Sequence, residues 1–210
     1  MAKDKAAEKA AQEILTSVWQ DEKKPEKVPF KENRSLAVVL TVLAILLGLC
    51  IGCRRSVAAQ ERKIEQKFST GVQYEGYSIH GDLQDRMEYA GQLAKIGQRY
   101  DFSSEAGAVS DAVAELYAAK GIHESYVRNL ALTDAVDVLN GALVNAELSE
   151  QDAGYRSEAY RNFVSCNDTI SHEAVEYNKL VYEFNDKIYS AFPTGTIARF
   201  TGVKKLEAFE

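Results

Sequence analysis

From Tyr160 onward, apolar residues recur every three or four positions: Tyr160, Phe163, Asn167, Ile170, Ala174, Tyr177, Val181, Phe184, Ile188 and Ala191. The steps alternate three and four, and Asn167 is the one polar member. That spacing is the seam of a helical bundle or coiled coil. It predicts a helix over 157–192, roughly 54 Å long at 1.5 Å per residue. Pro193 disfavours helix at Phe192, and Gly195 follows, so the stop is written into the chain.

Earlier segments repeat the pattern. Val57, Ile64, Phe68, Val72, Glu75 and Ile79 predict one helix, with Gly71 and Gly76 as weak points. Leu83, Met87, Ala90 and Ala94, with Leu93, Ile96 and Tyr100 alongside, predict a second. Val109, Val113 and Leu116, then Leu132, Val136, Leu139, Leu143 and Ala146, predict a third, interrupted near Gly121. Ser103-Ser104 and Ser149, with Asp152 three residues on, are N-cap candidates. No alternating strand pattern of useful length occurs. The three prolines stand at 25, 29 and 193, so none interrupts a helix between them. The expected fold is all-α: a single N-terminal transmembrane helix, then an antiparallel long-helix bundle of about four helices over 54–210.

The membrane expectation rests on Ser35–Gly52, eighteen residues without a charge, fenced by Arg34 and by Arg54-Arg55. Such a helix reaches about 27 Å, close to the ~30 Å hydrocarbon core. A cleaved signal peptide fits less well. Thirty-four residues precede the run, and two arginines separate it from Ser56-Val57-Ala58. The span is therefore placed at 35–53. Before it, Ala7, Ala10, Ala11, Ile14 and Val18 share one helical face beside Trp19, and Lys23–Arg34 with its two prolines reads as a linker. The 1–34 tail is either a surface helix or largely disordered.

Charge refines the address. Residues 1–55 hold ten Lys/Arg and seven Asp/Glu, a net of +3, whereas 56–210 hold fifteen and twenty-four, a net of −9. An acidic main domain repels phosphate backbones, so nucleic acid is not an expected partner. Each near flank of the span carries five cations. Lys3, Lys5 and Lys9 tilt the balance toward a cytoplasmic N-terminus and an extracytoplasmic main domain at the cell (inner) membrane.

Candidate chemistry is sparse. Cys50-x-x-Cys53 sits in hydrocarbon without a second ligand pair, so lipidation of Cys53 beside Arg54 and Arg55 is favoured over metal. Cys166 stands alone, and no disulfide framework is indicated. His172-Glu173 opens a zincin-like stretch, but Glu176 stands where the second histidine belongs. Asp168, His172 and Glu176 lie at i, i+4 and i+8 on one face. They are either a weak metal site or a solvated stripe. Glu-x-x-His is absent: Tyr77, Lys120 and Thr169 precede His80, His123 and His172 by three. No phosphate cradle and no nucleophile elbow occur.

The stretch "EAVEYNKLVYEFNDKIYSAFPTGTIARFTG" resembles the C-terminal signature of the LemA family, through Ile170, Tyr177-Asn178, Asn185, Ile188, Phe192-Pro193, Ile197-Ala198 and Gly202, with Phe209 beyond. "YSIHGDL" and "LNGALVNAE" are similar more faintly. The family's Tyr-Pro after the third helix is replaced by "ELSEQDAGY". Glu173 and Glu176 stand where arginines are expected, and Asn162-Phe163 lies fourteen residues before Tyr177. The resemblance implies a membrane helix followed by a long-helix bundle, with no established catalytic activity; no cofactor and no small-molecule substrate are expected. It implies a scaffold or adaptor whose partners are other membrane proteins or further copies. The alternative is a ligand- or metal-binding bundle or enzyme using Asp168, His172 and Glu176. Asn178 and Asn185 are expected to bond a neighbouring helix and fix its register.

Overall fold

The computed structural model describes residues 34–72 and 77–210. Every regular element among them is helical: α1 (Arg34–Thr70), α2 (Ile79–Arg99), α3 (Ser103–Tyr117), α4 (Ile122–Val144), α5 (Glu150–Glu183), a π-helical turn (Phe184–Tyr189) and α6 (Thr194–Phe200). The amphipathic pattern around Ala7–Trp19, the linker up to residue 33 and the expected helical positions Glu75 and Gly76 lie outside the described residues. The chain forms two compact units, Met1–Gly48 and Leu49–Glu210. The described part of the first is one helix whose apolar side chains face outward. α1 is long and apolar enough to cross a membrane.

In the second unit α2 is the hub, packing on α3, α4 and most extensively on α5. Polar ties fix the direction of α5 against it. Tyr100 at the end of α2 donates to Asp152 at the start of α5 (2.8 Å). Arg86 in the first half of α2 reaches Asn167, and Asp82 near its start feels the charge of Glu173. The two helices therefore run antiparallel. The core between them gathers Leu83, Leu93 and Ile96 of α2, Leu132, Val136, Leu139 and Leu143 of α4, and Phe163, Ile170, Tyr177 and Val181 of α5.

Several helix ends differ from the pattern-based expectation. α5 starts at Glu150, seven residues before 157, because Ser149 accepts the Asp152 N–H (3.1 Å) and caps it. Ser103 and Ser104 cap nothing. Phe102 occupies the cap position, and its N–H bonds Gly97 O (3.0 Å) across Asp101 at φ 63. This left-handed turn closes α2 so tightly that Ser103 is already inside α3. α1 stops at Thr70, and Gly71 at φ 86 accounts for the weak point expected there. Val72 lies beyond that helix, and Ile79 opens the next. The interruption near Gly121 separates two helices, α3 and α4, which pack on each other.

The predicted seam to Ala191 also breaks. Over Phe184–Tyr189 the helix widens to a π turn, which turns both Phe184 and Asn185 inward and leaves Ile188 only half-buried. α6 then packs back so closely that a Cβ on Gly195 would sit 2.2 Å from Tyr189 O, which only glycine allows. Gly202 at φ 91 ends α6 and releases a tail that belongs to no helix.

Candidate functional site

The polar break in the α5 seam has a partner. Arg86 is fully buried, and its guanidinium donates to Asn167 Oδ1 and to Thr133 Oγ1 (2.8 Å) while lying 4.1 Å from the centre of the Phe163 ring. No carboxylate lies within ion-pairing distance of it among the described residues. Burial pulls the guanidinium pKa down to about 10, so the group stays charged at neutral pH. The seam pattern does not point to Arg86. Its signal is Asn167, a polar residue held where every neighbour in the repeat is apolar.

Beside Arg86, Asp82 and Asp85 from α2 meet Cys166 from α5, with one donor atom of each within 4.8 Å of the others. Asp82 is 9 % exposed, and its Oδ2 has no hydrogen-bond partner. Burial first, then Asp85 and Glu173, push its carboxyl up to about 6. Burial, then Asp82 and Asp85, push the Cys166 thiol up to about 11. A thiol so raised is protonated at neutral pH and is a poor nucleophile. Two carboxylates and a thiol form a donor set that suits a borderline divalent ion such as zinc. The Arg86 charge acting on Cys166 opposes such an ion.

The stripe Asp168, His172 and Glu176 forms one wall of a surface groove of about 560 Å³, with Tyr77, Ser165, Thr169, Glu173 and Val175. Asp168 and His172 are exposed, and Glu176 approaches Lys179 at 3.8 Å. Glu173, buried behind them, accepts the Val72 N–H at 2.8 Å and so ties the end of α1 to α5. The structure thus brings the stripe together as a wall, while the converging donors are Asp82, Asp85 and Cys166.

The two asparagines of the signature do something other than expected. Asn185 donates to Leu206 O (3.0 Å) and accepts the Leu206 N–H (3.1 Å). Asn178 donates to Phe209 O (3.1 Å) and accepts the Phe209 N–H (2.7 Å). Their partner is the tail after α6, not a neighbouring helix. The physical reason is that a primary amide carries one acceptor and a donor group in the same plane, as a peptide does. A segment outside any helix or sheet needs such partners for its backbone. The spacing also matches. Seven residues of helix rise about 10.5 Å, and three extended residues span about 10 Å.

The side chains of the clamped residues point inward. Val203, Leu206 and Phe209 are buried, and the Phe209 ring stands 5.3 Å from Tyr126 and 5.9 Å from Phe68. Glu207 places a carboxylate at the start of α4, 3.5 Å from the His123 N–H, where the helix dipole favours an anion. Tyr182 donates to the Glu210 carboxylate, and His123 Nδ1 contacts the Glu210 carbonyl. Of the other signature residues, Ile170 and Tyr177 are core, Ile188 and Ile197 are half-buried, Gly202 takes the left-handed turn, and Phe192 and Pro193 are exposed.

No protein family matches the chain, and no curated protein matches it.

Proposed function

We propose that the chain is a membrane-anchored helical scaffold or adaptor of the LemA type, acting through protein contacts at the cell membrane rather than through catalysis. In this reading α1 is a single-pass anchor, and the helices after it form a long-helix bundle outside the cytoplasm. The partners are other membrane proteins or further copies of the chain.

The observation that supports it most is α4. Its buried face carries Leu132, Val136, Leu139 and Leu143. On the opposite face Val127 (46 % exposed), Leu130 (48 %) and Val138 (63 %) line up with Ala131 and Gly141, interrupted by Asp134. A helix packed on one side only carries polar residues on the other. A second apolar stripe fits a protein partner. Crosslinking in intact cells tests this. The wild-type chain should capture a membrane neighbour or a second copy, and Leu130→Lys with Val138→Lys should lose that product. Capture undiminished by the double variant would argue against this face.

A second reading, a ligand- or metal-binding unit, draws on the groove of Asp168, His172 and Glu176 and on the donors Asp82, Asp85 and Cys166. Metal analysis of the full chain, with His172→Ala and Asp82→Asn as separate controls, discriminates between the two. Stoichiometric metal lost in either variant would favour the second reading.

A further inference from the structure

One end of the helical unit has a surface unlike the rest. α1 enters the unit at Leu49 and reaches its first charges there at Arg54 and Arg55. Its register against α5 is fixed by the Val72–Glu173 bond (2.8 Å) and by the rings of Phe68 and Tyr177, 5.7 Å apart. Four residues before Val72 thus correspond to four residues after Glu173. Glu61 and Glu65, earlier still, share a cavity of about 500 Å³ with Lys204, Lys205 and Glu207 of the tail. From Glu61, which shares that cavity with Lys204, α1 rises only about 10 Å to Arg54-Arg55, passing the buried Val57.

That end presents aromatic and basic groups. Phe192, just before α6, is 87 % exposed, and Phe200, its last residue, is 88 % exposed. Between residues 184 and 206 the cations are Lys187, Arg199, Lys204 and Lys205, and the one anion is Asp186. Lys187 pairs with Glu183 at 3.6 Å, and Arg199 lies 5.7 Å from the centre of the Tyr189 ring. Lys204 and Lys205 share their cavity with Glu61, Glu65 and Glu207, so the positive charge of this end rests on Arg199, in a stretch, 56–210, whose net charge is −9, and on Arg54-Arg55 before it. Exposed phenylalanine beside arginine, in a unit whose first helix begins in an apolar run, is the composition of a membrane interface.

We propose that this end docks on the lipid bilayer. Phe192 and Phe200 enter the boundary between headgroups and acyl chains, and Arg199 joins Arg54 and Arg55 at anionic headgroups. The docking holds the helical unit against the surface instead of letting it swing on α1. It rests on the reading of α1 as a membrane span, and it leaves the α4 stripe and the Asp168–Glu176 groove free for other partners.

The full chain in vesicles of phosphatidylcholine and phosphatidylglycerol provides the test. Trp19 is the chain's one tryptophan, so Trp19→Phe gives a silent background. Into it go Phe192→Trp, Phe200→Trp and, as control, Tyr155→Trp. Tyr155 is 54 % exposed and lies beside Arg99 near the start of α5. At 1.5 Å per residue it stands about 44 Å along the helix from the π turn. Lipids brominated near the top of the acyl chain should quench the indoles at 192 and 200 by about half, with blue-shifted emission, and leave the indole at 155 unquenched. Arg199→Glu in the Phe200→Trp chain should reduce the quenching. Water-like emission and no quenching at both 192 and 200, in protein that resists carbonate extraction, would overturn the docking alone. Release of the protein by carbonate would overturn the span reading, and the docking with it.

Discussion

The two halves of α5 hold their neighbours by different means. From Ala159 to Ile170 it packs helix on helix, and its contacts are apolar side chains meeting at regular intervals around one buried arginine. From Tyr177 onward it packs helix on non-helical backbone, and two side-chain amides seven residues apart bond that backbone. The contrast shows two uses of a polar residue along one helix. Asn167 accepts a hydrogen bond from one charged side chain. Asn178 and Asn185 each complete a backbone residue that has no strand beside it.

Substitutions in the two halves should do different kinds of damage. Phe163 is buried under Arg86, and its loss takes both apolar packing and the cation–π face. Phe163→Ala should cost about 4 kcal/mol in urea unfolding, the largest single effect expected in the first half. In the second half, Asn185→Leu leaves the Leu206 N–H and C=O both unpaired. It should cost about 3 kcal/mol and free the tail while α2–α5 stay folded, so far-UV circular dichroism should barely change. Asn178→Leu, at a half-buried site, should cost less. A loss of helix equal to that of Phe163→Ala would erase the distinction between the halves.

A smaller effect reports on the charge around the first half. Asp82 titrates near 6 in the folded chain, raised from an ordinary value of 3.8 by burial. The folded state therefore binds this proton more tightly than the unfolded one. Its contribution to stability is full below about pH 4 and is lost as pH rises through about 6. Asp82→Asn should flatten that slope and raise stability at pH 7 by about 1 kcal/mol, since solvent on the open side of the carboxyl screens part of the penalty. Unchanged pH dependence of the melting temperature would count against the assignment. Smallest of all, Arg86→Met should stay within about 1 kcal/mol of the wild type, because an apolar chain of similar length avoids burying a charge that lacks a carboxylate partner.

Much of the first half is legible in the chain. The seam residues Phe163 and Ile170 are core because helix-on-helix packing repeats with the helix itself, and the same period still marks Tyr177, Val181 and Phe184 as core at the start of the second half. Ser149 is recognisable as a cap by its hydroxyl and position. Arg86 is hidden because a buried arginine breaks the rule that charges face water. The second half is obscured for a related reason. The π turn changes the period where the apolar spacing continues to Ala191, and nothing in a 3.5-residue pattern announces it. The tail has no helical period, so Val203, Leu206 and Phe209 stand three apart without a template that assigns them to a core. The donors Asp82, Asp85 and Cys166 come from two helices and become neighbours only when α2 and α5 pair antiparallel.

Whether asparagine side chains hold the tail as backbone is decided by amide hydrogen exchange over residues 203–210, comparing the wild-type chain with Asn178→Leu and Asn185→Leu. Exchange should be slow at Leu206 and Phe209 and fast at Glu207 and Ala208 between them. Protection should be lost selectively at Leu206 in Asn185→Leu and at Phe209 in Asn178→Leu. Uniform exchange across the tail in the wild type, or protection at Leu206 and Phe209 that survives both substitutions, would contradict the clamp.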